Sequence, residues 1–136
     1  MRQHSQRGMT LIELMIVISI VSILAYVAIG SYSESSQAAR RTDARSTLLV
    51  TATALEKCKA VYGTYNNASC SVSDGDKIAS AEGLYSVEVE SAATTFALTA
   101  TPVASASQAN DSDCKSILLN HLGQQTATGD HPEECW

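Results

Sequence analysis

Apolar residues run almost without interruption from Leu11 to Ile29, and Glu13 is the one charged residue among them. On a helix these side chains fall on every side, the pattern of a buried or lipid-facing helix and not of a surface amphipath. With Met9 and Thr10 the run reaches the ~20 residues that span a bilayer. Polarity changes at Gly30-Ser31-Tyr32. From about Glu34 to Tyr62 the spacing predicts a continuing, amphipathic helix whose core face carries Ala44, Leu48, Ala52, Leu55, Cys58 and Tyr62 at three- or four-residue steps. Gly63 is the expected stop. Gly30 weakens a helix by roughly 1 kcal/mol relative to Ala, and Ser31, Ser33, Ser35 and Ser36 follow it. The helix is therefore expected to loosen there under packing constraints, without the kink that a proline imposes.

Beyond Gly63 the pattern shortens. Gly63–Cys70 and Asp74-Gly75-Asp76 are loop-forming. Leu84–Glu90 alternates, with Tyr85, Val87 and Val89 on one side and Ser86, Glu88 and Glu90 on the other. Thr94–Thr101 repeats the period and groups Phe96, Leu98 and Ala100. Both read as half-buried strands joined through Ala92–Thr94. Pro102 ends the second, because it has no N–H to give a ladder. Val103–Asp113 is small and polar, a loop by composition, and Ser116–Leu122 predicts a third strand with Ile117 and Leu119 on one face. A helix and strands with one apolar face each are satisfied by packing together. The expected class is α+β, a long N-terminal helix packed through Leu48 and Leu55 against a small antiparallel sheet of three to four strands.

The 136 residues make one domain of ordinary size. If the first third lies outside the packed part, about 90 residues remain, few enough that covalent support is expected. Cys58, Cys70, Cys114 and Cys135 admit three pairings, of which Cys58–Cys70 with Cys114–Cys135 is the sequence-local one. Their wide spacing is unlike that of a zinc site. Two such loops would each stabilise by about 3 kcal/mol through chain entropy, and they place maturation in an oxidising, non-cytosolic compartment. The chain carries 9 Lys and Arg against 14 Asp and Glu. Arg2 and Arg7 fall within residues 1–8; without them seven basic residues face the same 14 acidic ones, a balance of −7 with His neutral. That acidity argues against broad, charge-driven nucleic-acid binding, while leaving room for a local basic site.

An ordinary secretory signal would be removed near the small residues Ala25, Ala28 and Gly30, leaving a soluble exported protein. Glu13 argues against that reading, since an unpaired acid at the bilayer centre costs about 2.5–3.5 kcal/mol. The stretch RGMTLIELMIVISIVSILAYVAI instead resembles the N-terminus of type IV pilins and pseudopilins, and YSVEVESAATTFALTATP followed by C…LLNHLG…CW resembles small single-domain and minor pilins. The resemblance implies the pilin fold, with a C-terminal disulfide loop. It also implies that a prepilin peptidase cuts after Gly8 on the cytoplasmic side and methylates Met9, and that Glu13 pairs with the terminal amine of a neighbouring subunit. The implied divisions are a leader at 1–8, a membrane and filament-core half-helix at 9–33, and an amphipathic half-helix plus globular head at 34–136. Arg2 and Arg7 before the span predict a cytoplasmic N-terminus and an external C-terminal domain. Thr10-Leu11-Ile12-Glu13 also fits a capping box, a purely local role for Glu13 that is compatible with pairing. Two departures bear on filament geometry: many members carry glycine where this chain has Ser22 and proline where it has Gly30.

Other candidate chemistry is sparse. Arg40, Arg41 and Arg45 read as solvated helix positions. The like-charge Arg41–Arg45 pair, unfavourable in isolation, suggests an interface with another subunit or lipid head groups. Trp136 either covers a disulfide or presents an aromatic anchor to a neighbour. Asp74 and Asp76 flank Gly75 as calcium ligands do, but Tyr85 stands where an EF-hand needs glutamate, so a turn is expected and no metal or cofactor. His4, His121 and His131 assemble no catalytic set, bonded cysteines leave no nucleophile, and phosphate-loop and dinucleotide motifs are absent from the sequence, which argues against an enzyme. The expected function is a structural subunit of a type IV pilus, held in the inner membrane and then in the extracellular filament, serving motility, adhesion or DNA uptake. Its expected partners are other pilins, the prepilin peptidase, the inner-membrane assembly platform, and DNA or a host surface. The alternatives are a low-abundance minor pilin acting as an adhesin or DNA-uptake receptor, which convergence of Lys57, Lys59, Lys77 and Lys115 into a positive stripe would favour, and a type II secretion pseudopilin.

Overall fold

The computed structural model describes residues 10–136. The processing residues Gly8 and Met9, with Arg2 and Arg7, lie outside the described residues. One helix, α1, runs Leu11–Tyr62 and is followed by strands β1 (Lys77–Ala79), β2 (Tyr85–Ser91), β3 (Phe96–Pro102), β4 (Ser116–Asn120) and β5 (Gln125–Thr128). Short 3-10 turns occupy Ser107–Asn110 and Pro132–Glu134. The chain divides into two compact units, one ending at Ser36 and one comprising Gln37–Trp136.

In the first unit Thr10 begins the helix as the sequence suggests. The Glu13 N–H donates to Thr10 Oγ1 at 3.3 Å, the backbone half of a capping box. The best 18-residue window has a mean hydropathy of 2.6, long and apolar enough to cross a membrane. Ser19 and Ser22 return their hydroxyls to the carbonyls of Met15 and Ile18 at 2.7 Å, so neither presents an unpaired polar group along the run. Large apolar side chains from Leu11 to Ile29 are exposed, with Leu11 at 76% and Tyr26 at 84%. Such a surface needs lipid or other protein to cover it. The helix continues through residues 30–36 without a break, so the loosening expected after Gly30 is not seen in this conformation.

The second unit packs the remainder of α1 on a five-stranded antiparallel sheet in the order β1-β2-β3-β4-β5. Tyr85, Val87 and Val89 of β2, Phe96, Leu98 and Ala100 of β3, and Ile117 and Leu119 of β4 are buried with Ala44, Leu48 and Leu55. The alternation therefore identifies the core face of each central strand. The sheet exceeds the expected three to four strands because β1 and β5 are short, largely exposed edge strands. Neither carries the apolar period that marks a strand in sequence. The hairpin loop spans 92–95, closed by the Ala92 N–H to the Thr95 carbonyl at 2.9 Å, and Leu122 lies in the turn after β4, not within it.

Two helix positions differ from expectation. Thr51 is buried and Ala52 only partly so. Tyr62 is 46% exposed, and Tyr65 takes the expected core place, meeting Phe96 edge-on with ring centres 5.0 Å apart. The chain reverses between the two tyrosines at Gly63, whose φ of +80° suits glycine, and the Gly63 N–H caps the helix on the Lys59 carbonyl.

Cys58 is joined to Cys70 and Cys114 to Cys135. The second bond closes a tight corner, where Gly129 has φ +142° and a Cβ would overlap the Asp113 carbonyl. Gly129→Ala is expected to cost about 1–3 kcal/mol and lower the thermal midpoint by roughly 5–20 °C. Circular dichroism of the full chain in detergent measures this, and an unchanged midpoint would contradict the packing described.

Candidate functional site

The core face of α1 begins earlier than its apolar residues suggest. Arg41, Ala44, Leu48, Thr51, Leu55 and Cys58 recur every three or four positions, and all are buried. Arg41 is thus an interior residue, and its expected roles as a solvated or interface position are corrected here. Its Nε and Nη2 each donate to the Asp111 carboxylate at 2.8 Å, with side-chain exposures of 4% and 0%. Asp113 lies 3.4 Å from Nη2. Hydrogen bonding to Asp111 raises the pKa of Arg41 against the opposing pull of burial, so the guanidinium stays charged. Asp111 also accepts the Gln108 Nε2–H at 2.9 Å and the Cys114 N–H at 3.4 Å, while Gln108 reaches the Gln37 carbonyl.

Arg45 donates through Nε to the Cys135 carbonyl at 2.8 Å, and Arg40 through Nη1 to Ser107 Oγ at 2.9 Å. The two like charges four residues apart are therefore accommodated within the chain: Arg41 by carboxylates, Arg45 by carbonyls of the C-terminal segment. Trp136 donates its indole N–H to the Thr126 carbonyl at 2.8 Å and lies half-buried against the core. These contacts tie the loop after β3 and the C-terminal segment to α1.

The four lysines do not form one cluster. Lys57 and Lys59 sit in the last two turns of α1, Lys77 on edge strand β1, and Lys115 just before β4. With β2 and β3 between them, Lys77 and Lys115 are separated across the sheet by about 14 Å or more. Lys77 also lies 3.8 Å from Glu88, and Lys59 sits 4.3 Å from the centre of the Tyr65 ring. Asp74 and Asp76 accept backbone N–H groups from Ser91 and Ser73, a turn-forming use of their carboxylates.

Burial, with a hydrogen bond to Glu56, pushes the Tyr65 phenol up to about 12, and burial also raises Tyr85. A phenol whose folded pKa is raised stabilises the fold below its unfolded value of 10.0, and that contribution is lost as pH climbs through its folded value.

A family model described as "Type IV minor pilin ComP, DNA uptake sequence receptor" matches residues 30–118, more than half of the chain. The chain belongs to this family of type IV minor pilins. A second model, the prokaryotic N-terminal methylation motif, matches residues 3–29. Prepilin peptidase-dependent protein D of Escherichia coli (strain K12) is 43% identical over 58 residues, which cover 43% of this chain and 40% of that protein. The chain thus spans less than half the length of this curated relative. A type IV pilin from Shewanella oneidensis is similar in structure at 24% identity and a TM-score of 0.44, covering 65% of this chain and 89% of that one. The family is structural in kind, and among the expected functions the match favours the minor pilin with a DNA-uptake domain. An apolar N-terminal helix and the methylation motif accord with membrane anchoring, pilin partners and peptidase processing.

Asp111 and Gln108 were missed in sequence because they fall in a stretch of small polar residues. The 3–4 spacing from Arg41 to Ala44 and Leu48 was the available signal. Asp111→Ala is expected to destabilise the pilin by about 3–5 kcal/mol, since it leaves the Arg41 charge buried and unpaired. Adding Arg41→Met should recover much of that loss. Thermal or urea unfolding of both variants measures the effect, and a single variant within about 1 kcal/mol of wild type would contradict the role given to the pair.

Proposed function

We propose that the mature chain is a low-abundance pilus subunit that receives DNA on the cell surface. The observation that carries this reading is the family match across residues 30–118, in a family described as DNA uptake sequence receptors. Cleavage after Gly8 would expose the amine of Met9. The N-terminus then lies on the cytoplasmic side of the inner membrane and Gln37–Trp136 outside, where both disulfides form.

Assembly transfers the apolar surface of residues 11–29 from lipid to neighbouring helices. Glu13, in an apolar surrounding, is stabilised by an opposite charge, and the free amine of the adjacent subunit supplies one. The assembly platform of the inner membrane drives this transfer. In the filament, Lys57 near the end of α1, beside the loop tethered by the Cys58–Cys70 bond, gives an otherwise acidic unit a local cation, suited to a single phosphate contact and not to a long duplex track.

Sheared filaments provide the test. Filaments from wild-type cells should retain labelled duplex DNA above the level of filaments from cells lacking this chain. Glu13→Val should leave the membrane-bound amount unchanged, deplete the chain from filaments several-fold and remove the extra DNA retention. Equal retention with and without the chain would defeat the receptor role, and normal incorporation of the variant would defeat charge pairing.

A further inference from the structure

From the cleft beside the last turn of α1 we infer a binding pocket for a single unstacked DNA base, a proposal that rests on the DNA-receptor reading above. The cleft holds about 210 Å³ between the end of α1 and the loop that the Cys58–Cys70 bond folds back on it. Ala54, Val61 and Tyr62 give it an apolar wall, and Lys57, Ser69 and Ser71 stand around it. Tyr62, at 46%, is the exposed aromatic ring among the described residues of Gln37–Trp136; Tyr65, Tyr85 and Phe96 are buried and Trp136 is half-buried.

This juxtaposition matches what a base needs. An aromatic face stacks on any base, a lysine beside it meets the flanking phosphate, and two serine hydroxyls offer both donors and acceptors to the base edge. Charge favours this cleft over the larger one of about 450 Å³ bordered by Asp74 and Glu90, whose carboxylates repel phosphate. The acidity of the unit points the same way. Seven basic residues face twelve acidic ones from Gln37 onward, and Arg41 and Arg45 are committed to internal contacts. Affinity then has to come from stacking at one place more than from phosphate contacts along a groove. A paired and stacked base keeps its face covered, so the pocket takes a base from a single strand or from a locally opened duplex.

Fluorescence anisotropy of the full chain in detergent, with labelled oligodeoxythymidylate and with a labelled duplex, tests the pocket. Tyr62→Ala and Tyr62→Leu should each weaken oligodeoxythymidylate binding about 5- to 100-fold, the range for losing one stacked base. Tyr62→Phe should stay within about 2-fold of wild type, since the ring is kept. The leucine variant separates stacking from bulk, and the exposed position leaves the core untouched. Three results overturn the pocket: Tyr62→Leu binding like wild type, Lys57→Gln weakening binding while Tyr62→Ala does not, or binding of the duplex alone. Wild-type protein that binds neither probe overturns the DNA-receptor reading itself.

Discussion

One buried ion pair sets the register of the sheet-bearing unit. Arg41 enters the core face of α1 one step before its apolar residues, and the Asp111 carboxylate meets it with two hydrogen bonds of 2.8 Å. Charge is costly to bury, so this contact is weak as a source of net stability but strict about geometry: each partner is tolerated only where the other stands. Asp111 in turn gathers Gln108 and the Cys114 N–H, and Cys114 is bonded to Cys135, whose carbonyl accepts from Arg45. The loop after β3 and the chain terminus are thereby indexed to the same turns of one helix. Apolar packing of Leu48 and Leu55 on the sheet supplies the larger driving force, but it would tolerate a shift that these directional contacts do not.

How far the sequence could be read depended on whether a feature was periodic or paired. The apolar run of residues 11–29 and the alternation of Tyr85-Val87-Val89 and Phe96-Leu98-Ala100 identify elements and faces, because each residue reports its own environment. Edge strands β1 and β5 are nearly free of that signal, being solvent-exposed on most positions. The Arg41–Asp111 pair joins residues 70 positions apart, and nothing local in Asp111 announces its partner. The spacing from Arg41 to Ala44 and Leu48 did carry a hint, overridden by the expectation that arginine faces water. Tyr62 illustrates the reverse error. Its spacing fits the core face, but the helix ends there and the reversal at Gly63 hands that place to Tyr65.

The same arrangement bears on function. With two of its arginines spent on internal contacts and Lys77 beside Glu88, the acidic unit has few cations left for a ligand. Among those that remain, Lys57 stands at the end of α1 beside the disulfide-tethered loop and the exposed Tyr62 ring. Membership of a minor pilin family with a DNA-receptor description is reconciled with a net negative surface if recognition is local. Selectivity would then come from the shape and stacking of a small site, with little help from long-range attraction.

The salt dependence of DNA affinity tests local recognition most directly. With four lysines and Arg40, whose contact is a neutral serine hydroxyl, left to meet phosphate, the slope of log K against log salt concentration should be no steeper than about −4.5, and near −1 if Lys57 alone does so. A slope of about −6 or beyond would require more phosphates to be neutralised than this unit has cations to offer, and would contradict the account.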